Sequence, residues 1–259
     1  DKALSIRESI LEIVAHSDRG HIPSAFSIVE ILLVLYHKII NIDPLDPQNR
    51  ARDRLILSKG HGCLALYAVL ADIGFFDKKH LTTFCKRDGI LGGHPEHKKI
   101  PGVEASTGAL GHGLSIGVGM ALNARLDELN YDSYVIVGDG ECNEGSIWEA
   151  ALSASKNNLS NLVVLIDYNK LQSYAPVKDV IPLEPFKDKW EAFGFDVVEV
   201  NMNHPEELEK ILTVHRKTKD IVNEPLAVIC HTVKGKGIEL MENNPSWHHK
   251  ARFKQGEID

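Results

Sequence analysis

The stretch SYVIVGDGECNEGSIWEA, residues 133–150, decides the fold. Its first half is an apolar run rich in Val and Ile, which predicts a strand buried on both faces. The run ends in Gly-Asp-Gly and passes into a polar segment rich in acids. A strand end does not require an aspartate between two glycines. Asp139 therefore either binds something at this edge or caps the helix that is predicted to begin near Ser146.

The rest of the chain alternates short β-branched runs with longer segments of helical spacing. Strands are predicted at 54–58, 133–139, 162–168, 195–200 and 226–232, and helices at 3–17, 26–39, 62–73, 111–128, 146–158 and 204–219. This alternation predicts the α/β class, with a parallel sheet and helices on both faces. We expect a single domain over residues 1–259, with an extended C-terminal tail from about residue 240.

The composition argues against several classes of protein. The formal net charge of −7 leaves no surplus of basic residues to neutralise nucleic-acid phosphates. No apolar run is long enough to predict a membrane-spanning helix. The cysteines are far apart in sequence and form no CxxC pair, which indicates reduced thiols and a cytoplasmic protein.

Two strand ends carry groups that could hold a metal ion. In open parallel sheets, ligands bind beyond the carboxyl ends of the strands. Asp139 ends one predicted strand, and Asn169 ends the next one, 30 residues later. This separation allows a helix and a return strand, so the two side chains can meet at one edge. Their oxygens suit Mg²⁺ or Ca²⁺, and Gly138 and Gly140 would let a diphosphate approach the backbone.

Several of the 13 histidines lie beside glycine or proline in predicted loops. They are His21 in GHIPS, His61 in SKGHG, His94 in GGHPE, His112 in GALGHG, and His248 and His249 in SWHHK. A zinc site is one explanation, but the absence of helical i,i+4 spacing and of nearby cysteines argues against it. Histidines around a sugar substrate explain them better, because imidazole can donate to a hydroxyl and accept a proton near neutral pH.

Six ordered motifs resemble the transketolase family of thiamine-diphosphate enzymes. GDG followed by Asn169 resembles the thiamine-diphosphate motif. The opening segment with SKGHG, then GGHPE, ASTGALGHG, HTVKGKG and the tail SWHHK resemble transketolase along nearly the whole chain. The resemblance implies the diphosphate-domain form of the thiamine-diphosphate-binding fold.

The resemblance also implies how the cofactor would be held. The metal ligands would be Asp139, Asn169 and the backbone carbonyl of Leu171. The other cofactor contacts would come from His61, Gly108, Leu110, Gly138, Gly140 and Glu144. Glu144 matches an acid of the relay between paired sites in the family, and a simple helix-start carboxylate is its alternative role.

Three histidines would act on the sugar. By the same resemblance, His94 would bind the terminal hydroxyl of the donor, while His21 and His248 would handle the proton of the C3 hydroxyl. Because the tail carries two adjacent histidines, His249 is the alternative to His248.

The sequence departs from the family pattern at three positions. Ala109 stands where transketolases usually have proline, His112 where they often have glutamine, and His231 where they usually have lysine. These changes leave loop stiffness and the donor contacts open, but they remove no catalytic group.

A usual transketolase chain is more than twice as long, so this chain resembles the N-terminal half of a split, two-gene enzyme. The resemblance implies that it is inactive alone and needs a C-terminal subunit, which supplies the pyrimidine-ring pocket and an activating glutamate. We expect a heterotetramer of two copies of each chain. A piece cut from a longer protein is the alternative. The implied reaction moves a two-carbon ketol unit from a ketose phosphate to an aldose phosphate, with specialised sugars, such as sulfonated or branched ones, left open.

Three other functions compete with this interpretation. The segment GHGLSIG (111–117) has the wrong glycine spacing for a dinucleotide-binding motif, so a dehydrogenase is weakly supported. A protein of the deoxyxylulose-phosphate synthase or 2-oxoacid dehydrogenase type is disfavoured by SKGH and GGHPE. A non-catalytic cofactor-binding subunit is disfavoured because every expected metal and histidine position is occupied.

Overall fold

A computed structural model describes residues 2–250 of the chain. The strands are β1 (Arg54–Leu57), β2 (Ser133–Gly138), β3 (Leu162–Tyr168), β4 (Asp196–Asn201) and β5 (Leu226–His231). They form one parallel sheet in the order β1-β2-β3-β5-β4. The predicted strands are confirmed, and no boundary differs by more than one residue.

The helices cover both faces of this sheet. They are α1 (Lys2–Ser17), α2 (Ile22–Phe26), α3 (Val29–Val34), α4 (Cys63–Asp72), α5 (Gly113–Leu126), α6 (Gly145–Lys156), α7 (Val177–Val180), α8 (Phe186–Ala192) and α9 (Pro205–Val222). Helices α1 to α4 and α9 pack on one face, and α5, α6 and α8 pack on the other. The α/β class is therefore confirmed, while α7 and α8 were not predicted.

Alternate residues of each strand enter different cores, which is why the strands are apolar throughout. In β2, Tyr134 and Ile136 face α1 to α4, whereas Val135 and Val137 face α5 and α6. The apolar side chains of β2 are almost completely buried. A sheet covered on both sides leaves only its edges and strand ends open, and the polar residues collect at the carboxyl ends.

The helix predicted over 26–39 begins only at Val29, because the chain turns at Ser27. The Ser27 hydroxyl lies 2.7 Å from the carboxylate of Asp167, to which it donates, and 3.1 Å from the carbonyl of Ser24. This turn separates α2 from α3, and the apolar run then ends in a π-helical turn, Leu35–Ile39. It also leaves the carbonyl of Ser24 free to accept a hydrogen bond from Lys59, 3.1 Å away.

The segment GHGLSIG does not follow a strand. Its first two residues end an irregular loop, and Gly113 begins α5. A dinucleotide-binding turn needs a strand immediately before the glycines, so this part of the chain does not form one.

The beginning of the predicted tail folds back onto the protein. Pro245–Trp247 form a short 3₁₀ turn, and Trp247 is buried. The remainder of the tail, residues 251–259, lies outside the described residues. Within residues 2–250, the cysteines are unpaired, as predicted, and no helix has both the length and the apolar character needed to cross a bilayer.

Two glycines of α5 offer a matched test of how this helix packs on the sheet. A Cβ at Gly117 would collide with Cγ2 of Val135 in the buried core, whereas a Cβ at Gly119 would meet open space. Gly117→Ala should lower the free energy of unfolding by about 1–3 kcal/mol through overpacking. Gly119→Ala should raise it by up to about 1 kcal/mol through helix propensity. Urea unfolding of the two variants measures both changes, and equal stabilisation by both would show that α5 does not approach β2 so closely.

Candidate active site

A cavity of about 270 Å³ lies at the carboxyl ends of β1, β2, β3 and β5. The structure brings almost all the predicted site residues to its walls: His21, His61, His94, Gly108, Leu110, Gly138, Asp139, Gly140, Asn169, Leu171 and His248. The strand register explains the central part of this arrangement. Gly138 lies beside Asp167 in the paired strands, so the residues that follow them, Asp139 and Asn169, emerge at the same edge.

Asp139 is a buried carboxylate that lacks a positively charged side chain as a direct partner. Its oxygens accept hydrogen bonds from the backbone N–H groups of Gly140, at 2.6 Å, and Lys170, at 2.5 Å. Within residues 2–250 it forms no ion pair. Burial, with the nearby carboxylate of Asp167, raises the pKa of Asp139 to about 7. A cation bound beside Asp139 would offset the free-energy cost of burying its negative charge.

The orientation of Asn169 is set by Asp167. The Asn169 side-chain nitrogen donates to the Asp167 carboxylate at 3.0 Å, and its oxygen accepts from the Leu171 N–H at 3.0 Å. An ionised carboxylate can only accept, so the amide nitrogen must face Asp167 and the amide oxygen must face away from it. This leaves the oxygen of Asn169 directed away from Asp167 and towards the backbone of Leu171.

Asp167 is itself held by a buried ion pair. Lys59 donates to its carboxylate at 2.5 Å, and both side chains are almost completely shielded from solvent. Burial alone would raise the pKa of Asp167, but Lys59 and the hydrogen bonds from Thr232 and Ser27 outweigh it, so the pKa is lowered. Asp167 therefore stays ionised and keeps Asn169 oriented.

Lys59 and Lys234 place buried positive charge in the wall of the cavity. The Lys234 ammonium donates to the carbonyls of Leu171 and Gln172, at 2.9 and 3.1 Å, and is 3% exposed. Burial and then the neighbouring Lys59 lower the pKa of Lys234 to about 8. Since Lys234 forms no ion pair within residues 2–250, its buried ammonium favours an anion. The cavity thus offers a carboxylate for a cation and lysines for an anion.

The glycines shape the floor of the cavity. A Cβ at Gly140 would come within 2.8 Å of the Gln172 side chain, and one at Gly108 within 3.1 Å of the His94 ring. Gly108 also has a φ of 147°, which a side chain rarely tolerates. At Gly138 a Cβ would make only ordinary contacts at 3.9 Å, so crowding by the protein does not explain this glycine.

The histidines form a cluster at the mouth of the cavity. The ring centroid of His21 lies 5.6 Å from that of His61 and 5.2 Å from that of His248. Burial lowers the pKa of His21, and burial together with Lys234 lowers the pKa of His248 to about 3. Both rings are therefore neutral at pH 7, as a proton acceptor must be. His94 is exposed and lies beside Gly108.

Glu144 is the one predicted site residue that does not line this cavity. It is exposed and immediately precedes α6, where its side chain makes no capping hydrogen bond, so both of its suggested roles stay predictions. The acid that reaches the site is Glu141, which is buried and accepts hydrogen bonds from the N–H groups of Gly111 and Gly138, at 2.9 and 3.0 Å.

Sequence reasoning also missed Lys59, Lys234 and Asp167. The two lysines stand in SKGHG and HTVKGKG, and their position at strand exits was the available signal. Asp167 had no such signal, because it lies inside a strand that reads as apolar.

Comparison with known proteins identifies the group to which this site belongs. The family model described as "Transketolase, thiamine diphosphate binding domain" matches residues 2–259. An apulose-4-phosphate transketolase subunit of Phocaeicola vulgatus is 43% identical over 243 residues, which cover 94% of this chain and 85% of that protein. A 6-deoxy-6-sulfo-D-fructose transketolase subunit of Clostridium sp. is 39% identical over 244 residues, which cover 94% and 88%.

Solved structures of transketolases share the fold of this chain. Transketolase from Leishmania mexicana superposes with a TM-score of 0.89 at 30% identity, covering 96% of this chain. The chain spans only 38% of that transketolase, whereas it spans most of the two subunit relatives.

The fold and site are those of a thiamine-diphosphate-binding α/β domain. The chain belongs to the transketolase family, in which it corresponds to the thiamine-diphosphate-binding domain. The predicted family and the diphosphate-domain fold are both confirmed.

The two lysines of the KGK segment provide a test of the anion site. Lys234→Gln removes the buried ammonium and should weaken thiamine-diphosphate binding about 10- to 100-fold, since hydrogen bonds to charged groups contribute about 1.5–3 kcal/mol. Lys236 lies two residues later, where it donates to the carbonyl of Met202 and pairs with Glu30. Lys236→Gln is therefore the matched control. Calorimetric titration with thiamine diphosphate and Mg²⁺ measures both, and an equal loss in the two variants would contradict the anion site.

Proposed function

We propose that this chain is the diphosphate-binding subunit of a transketolase that depends on thiamine diphosphate and a divalent metal ion. With a partner subunit it transfers a two-carbon ketol unit from a ketose phosphate to an aldose phosphate. The observation that carries the proposal is the single cavity in which Asp139 and Asn169, two lysines and five histidines meet. We further expect the enzyme to act in the cytoplasm.

Asp139, Asn169 and the carbonyl of Leu171 would hold the metal ion. Their oxygens are the ligands that Mg²⁺ and Ca²⁺ prefer, and the buried Asp139 has no ion-pair partner within the described residues. The ammonium of Lys234, with that of Lys59, would offset the charge of the diphosphate, His61 would contact its oxygens, and Gly138 and Gly140 would let it approach the backbone. When bound, the cofactor supplies the electron sink that breaking a carbon–carbon bond requires.

The neutral histidines would handle the sugar. His21 and His248 lie with their ring centroids 5.2 Å apart, and either can accept the proton of the C3 hydroxyl as the C2–C3 bond breaks. His94, which lines the same cavity beside Gly108, would hold the terminal hydroxyl of the donor. His248 is buried and His249 is exposed, which favours His248 as the proton acceptor of the pair.

The partner subunit would cover the exposed face of α5 and α6 beside the cavity. Leu110 and Ile116 are about a third exposed, and Leu152 is 59% exposed. Gly119 lies on the same face with open space beyond its Cα, which would let another helix approach. The names of the two subunit relatives agree with such a partner, and we propose two copies of each chain in the assembly.

Reconstitution tests the need for a partner. This chain, mixed with a candidate pyrimidine-binding subunit, thiamine diphosphate and Mg²⁺, should transfer ketol units from a panel of ketose phosphates and sulfonated ketoses. Neither chain alone should do so, because each would supply half of the cofactor site. Ketol transfer by this chain alone would contradict the split-subunit proposal.

A charge on the exposed face of α5 should separate the two subunits. Ile116→Asp should weaken their association at least about tenfold, because it would bury an unpaired carboxylate in the interface. Val214 on α9 is 59% exposed on the other side of the sheet, so Val214→Asp is the control. Analytical ultracentrifugation measures association, and an unchanged Ile116→Asp complex would place the partner elsewhere.

The metal site is tested at Asp139. Asp139→Ala should abolish Mg²⁺-dependent retention of thiamine diphosphate. Within residues 2–250, Asp139 is the only buried carboxylate in the cavity wall that has neither an ion pair nor a side-chain donor, and the variant removes it. Asp179→Ala, at an exposed aspartate in α7, is the control. Calorimetry with and without Mg²⁺ measures retention, and cofactor binding by Asp139→Ala that still responds to Mg²⁺ would mean that the metal binds at other residues.

A further inference from the structure

Three histidines at the mouth of the cavity are arranged so that they could share one metal ion. One ring nitrogen from each of His21, His248 and His249 lies within 4.8 Å of the other two. His248 is buried, His21 is partly buried and His249 is exposed, so the group runs from the protein interior to solvent. We propose that these three side chains form a site for a transition-metal ion such as Zn²⁺, separate from the site at Asp139 and Asn169.

The ring nitrogens of His21 and His248 are available as ligands. Nδ1 of His21 lies 3.0 Å from the backbone carbonyl of His248. A carbonyl only accepts, so this nitrogen carries the hydrogen and Nε2 keeps its lone pair. Metal-binding histidines are commonly oriented by such a hydrogen bond from the second ring nitrogen.

His248 contributes an independent observation. It is 6% exposed, and its Nδ1 is buried without a hydrogen-bond partner in the described part of the chain. Its Nε2 has only a weak contact with the hydroxyl of Ser173 at 3.3 Å. A buried ring nitrogen without a partner is costly, and binding a metal ion would remove that cost.

His249 can complete the site by a small movement. Zinc binds imidazole nitrogens at about 2.0–2.1 Å, so ligands in a tetrahedron lie about 3.3 Å apart. The histidines are within about 1.5 Å of that spacing. Since His249 is exposed, its side chain can rotate towards the other two. Three histidines leave the fourth position for water, as in known three-histidine zinc sites.

The chemistry of the two sites separates the metals that they would take. Imidazole ligands suit Zn²⁺, Co²⁺, Ni²⁺ and Cu²⁺, whereas Mg²⁺ and Ca²⁺ prefer oxygen ligands. His61 is also near His21 and His248, with ring centroids at 5.6 and 5.8 Å, but it does not belong to the group whose ring nitrogens all lie within 4.8 Å of one another. The zinc site therefore lies at the outer end of the histidine cluster.

A metal ion in this position would also inhibit the enzyme. Coordination uses the lone pairs with which His21 and His248 would accept the C3-hydroxyl proton. This consequence rests on the proposed function, whereas metal binding itself does not.

Titration of the cofactor-free, tag-free protein with Co²⁺ and Zn²⁺ in excess Mg²⁺ tests the site. We expect one Co²⁺ per chain, with visible absorption typical of a tetrahedral site, and displacement by Zn²⁺. His21→Ala and His249→Ala should each weaken binding at least about 100-fold, because loss of outer contacts alone costs about 10–100-fold. His204→Ala, at an exposed histidine before α9, and Asp139→Ala should bind as the unmodified chain does.

Unchanged binding in His21→Ala or in His249→Ala, or loss of binding in Asp139→Ala alone, would overturn the proposal. Because His249 is exposed, its variant tests the site even if His21→Ala does not fold. Zinc binding by a chain that shows no ketol transfer with any partner would support the zinc site and contradict only the proposed function.

Discussion

The fully buried carboxylate of Asp167 joins the segments from which the cavity is built. It accepts hydrogen bonds from Ser27 after α2, Lys59 after β1, Asn169 after β3 and Thr232 after β5. A charge at this depth is tolerated only because Lys59 pairs with it and the remaining lone pairs are satisfied. Through these hydrogen bonds, the carboxylate fixes the relative positions of the strand ends and the direction of the Asn169 amide.

The cavity also contains two buried groups of opposite charge, Asp139 and Lys234. Asp139 has backbone donors but no cationic side chain bound to it, while Lys234 has backbone acceptors but no anionic one within residues 2–250. Burial works against both charged forms, which raises the pKa of Asp139 and lowers that of Lys234. A ligand of opposite charge would therefore stabilise the charged form of each group. A diphosphate bound to a metal ion carries both charges.

One local sequence pattern was misleading. The apolar run at 26–39 has helical spacing, but the chain turns at Ser27, whose hydroxyl contacts Asp167, 140 residues away, and the helix begins only at Val29. The histidines lack local metal-ligand spacing, and the fold nevertheless brings ring nitrogens of His21, His248 and His249 within 4.8 Å of one another. A window of sequence does not contain partners that are distant along the chain, so neither feature could be predicted from local spacing.

The sequence by itself determined the strands, the α/β class, the family, and the meeting of Asp139 with Asn169. These follow from apolar runs of strand length, from the ordered motifs, and from the rule that parallel strands deliver their carboxyl ends to one edge. Only the tertiary structure decided that Glu141 rather than Glu144 reaches the cavity, that Asp167 orients Asn169, and that three histidines form a cluster. Those features depend on distances and burial between segments far apart in the chain, and such contacts leave no periodic pattern in the sequence.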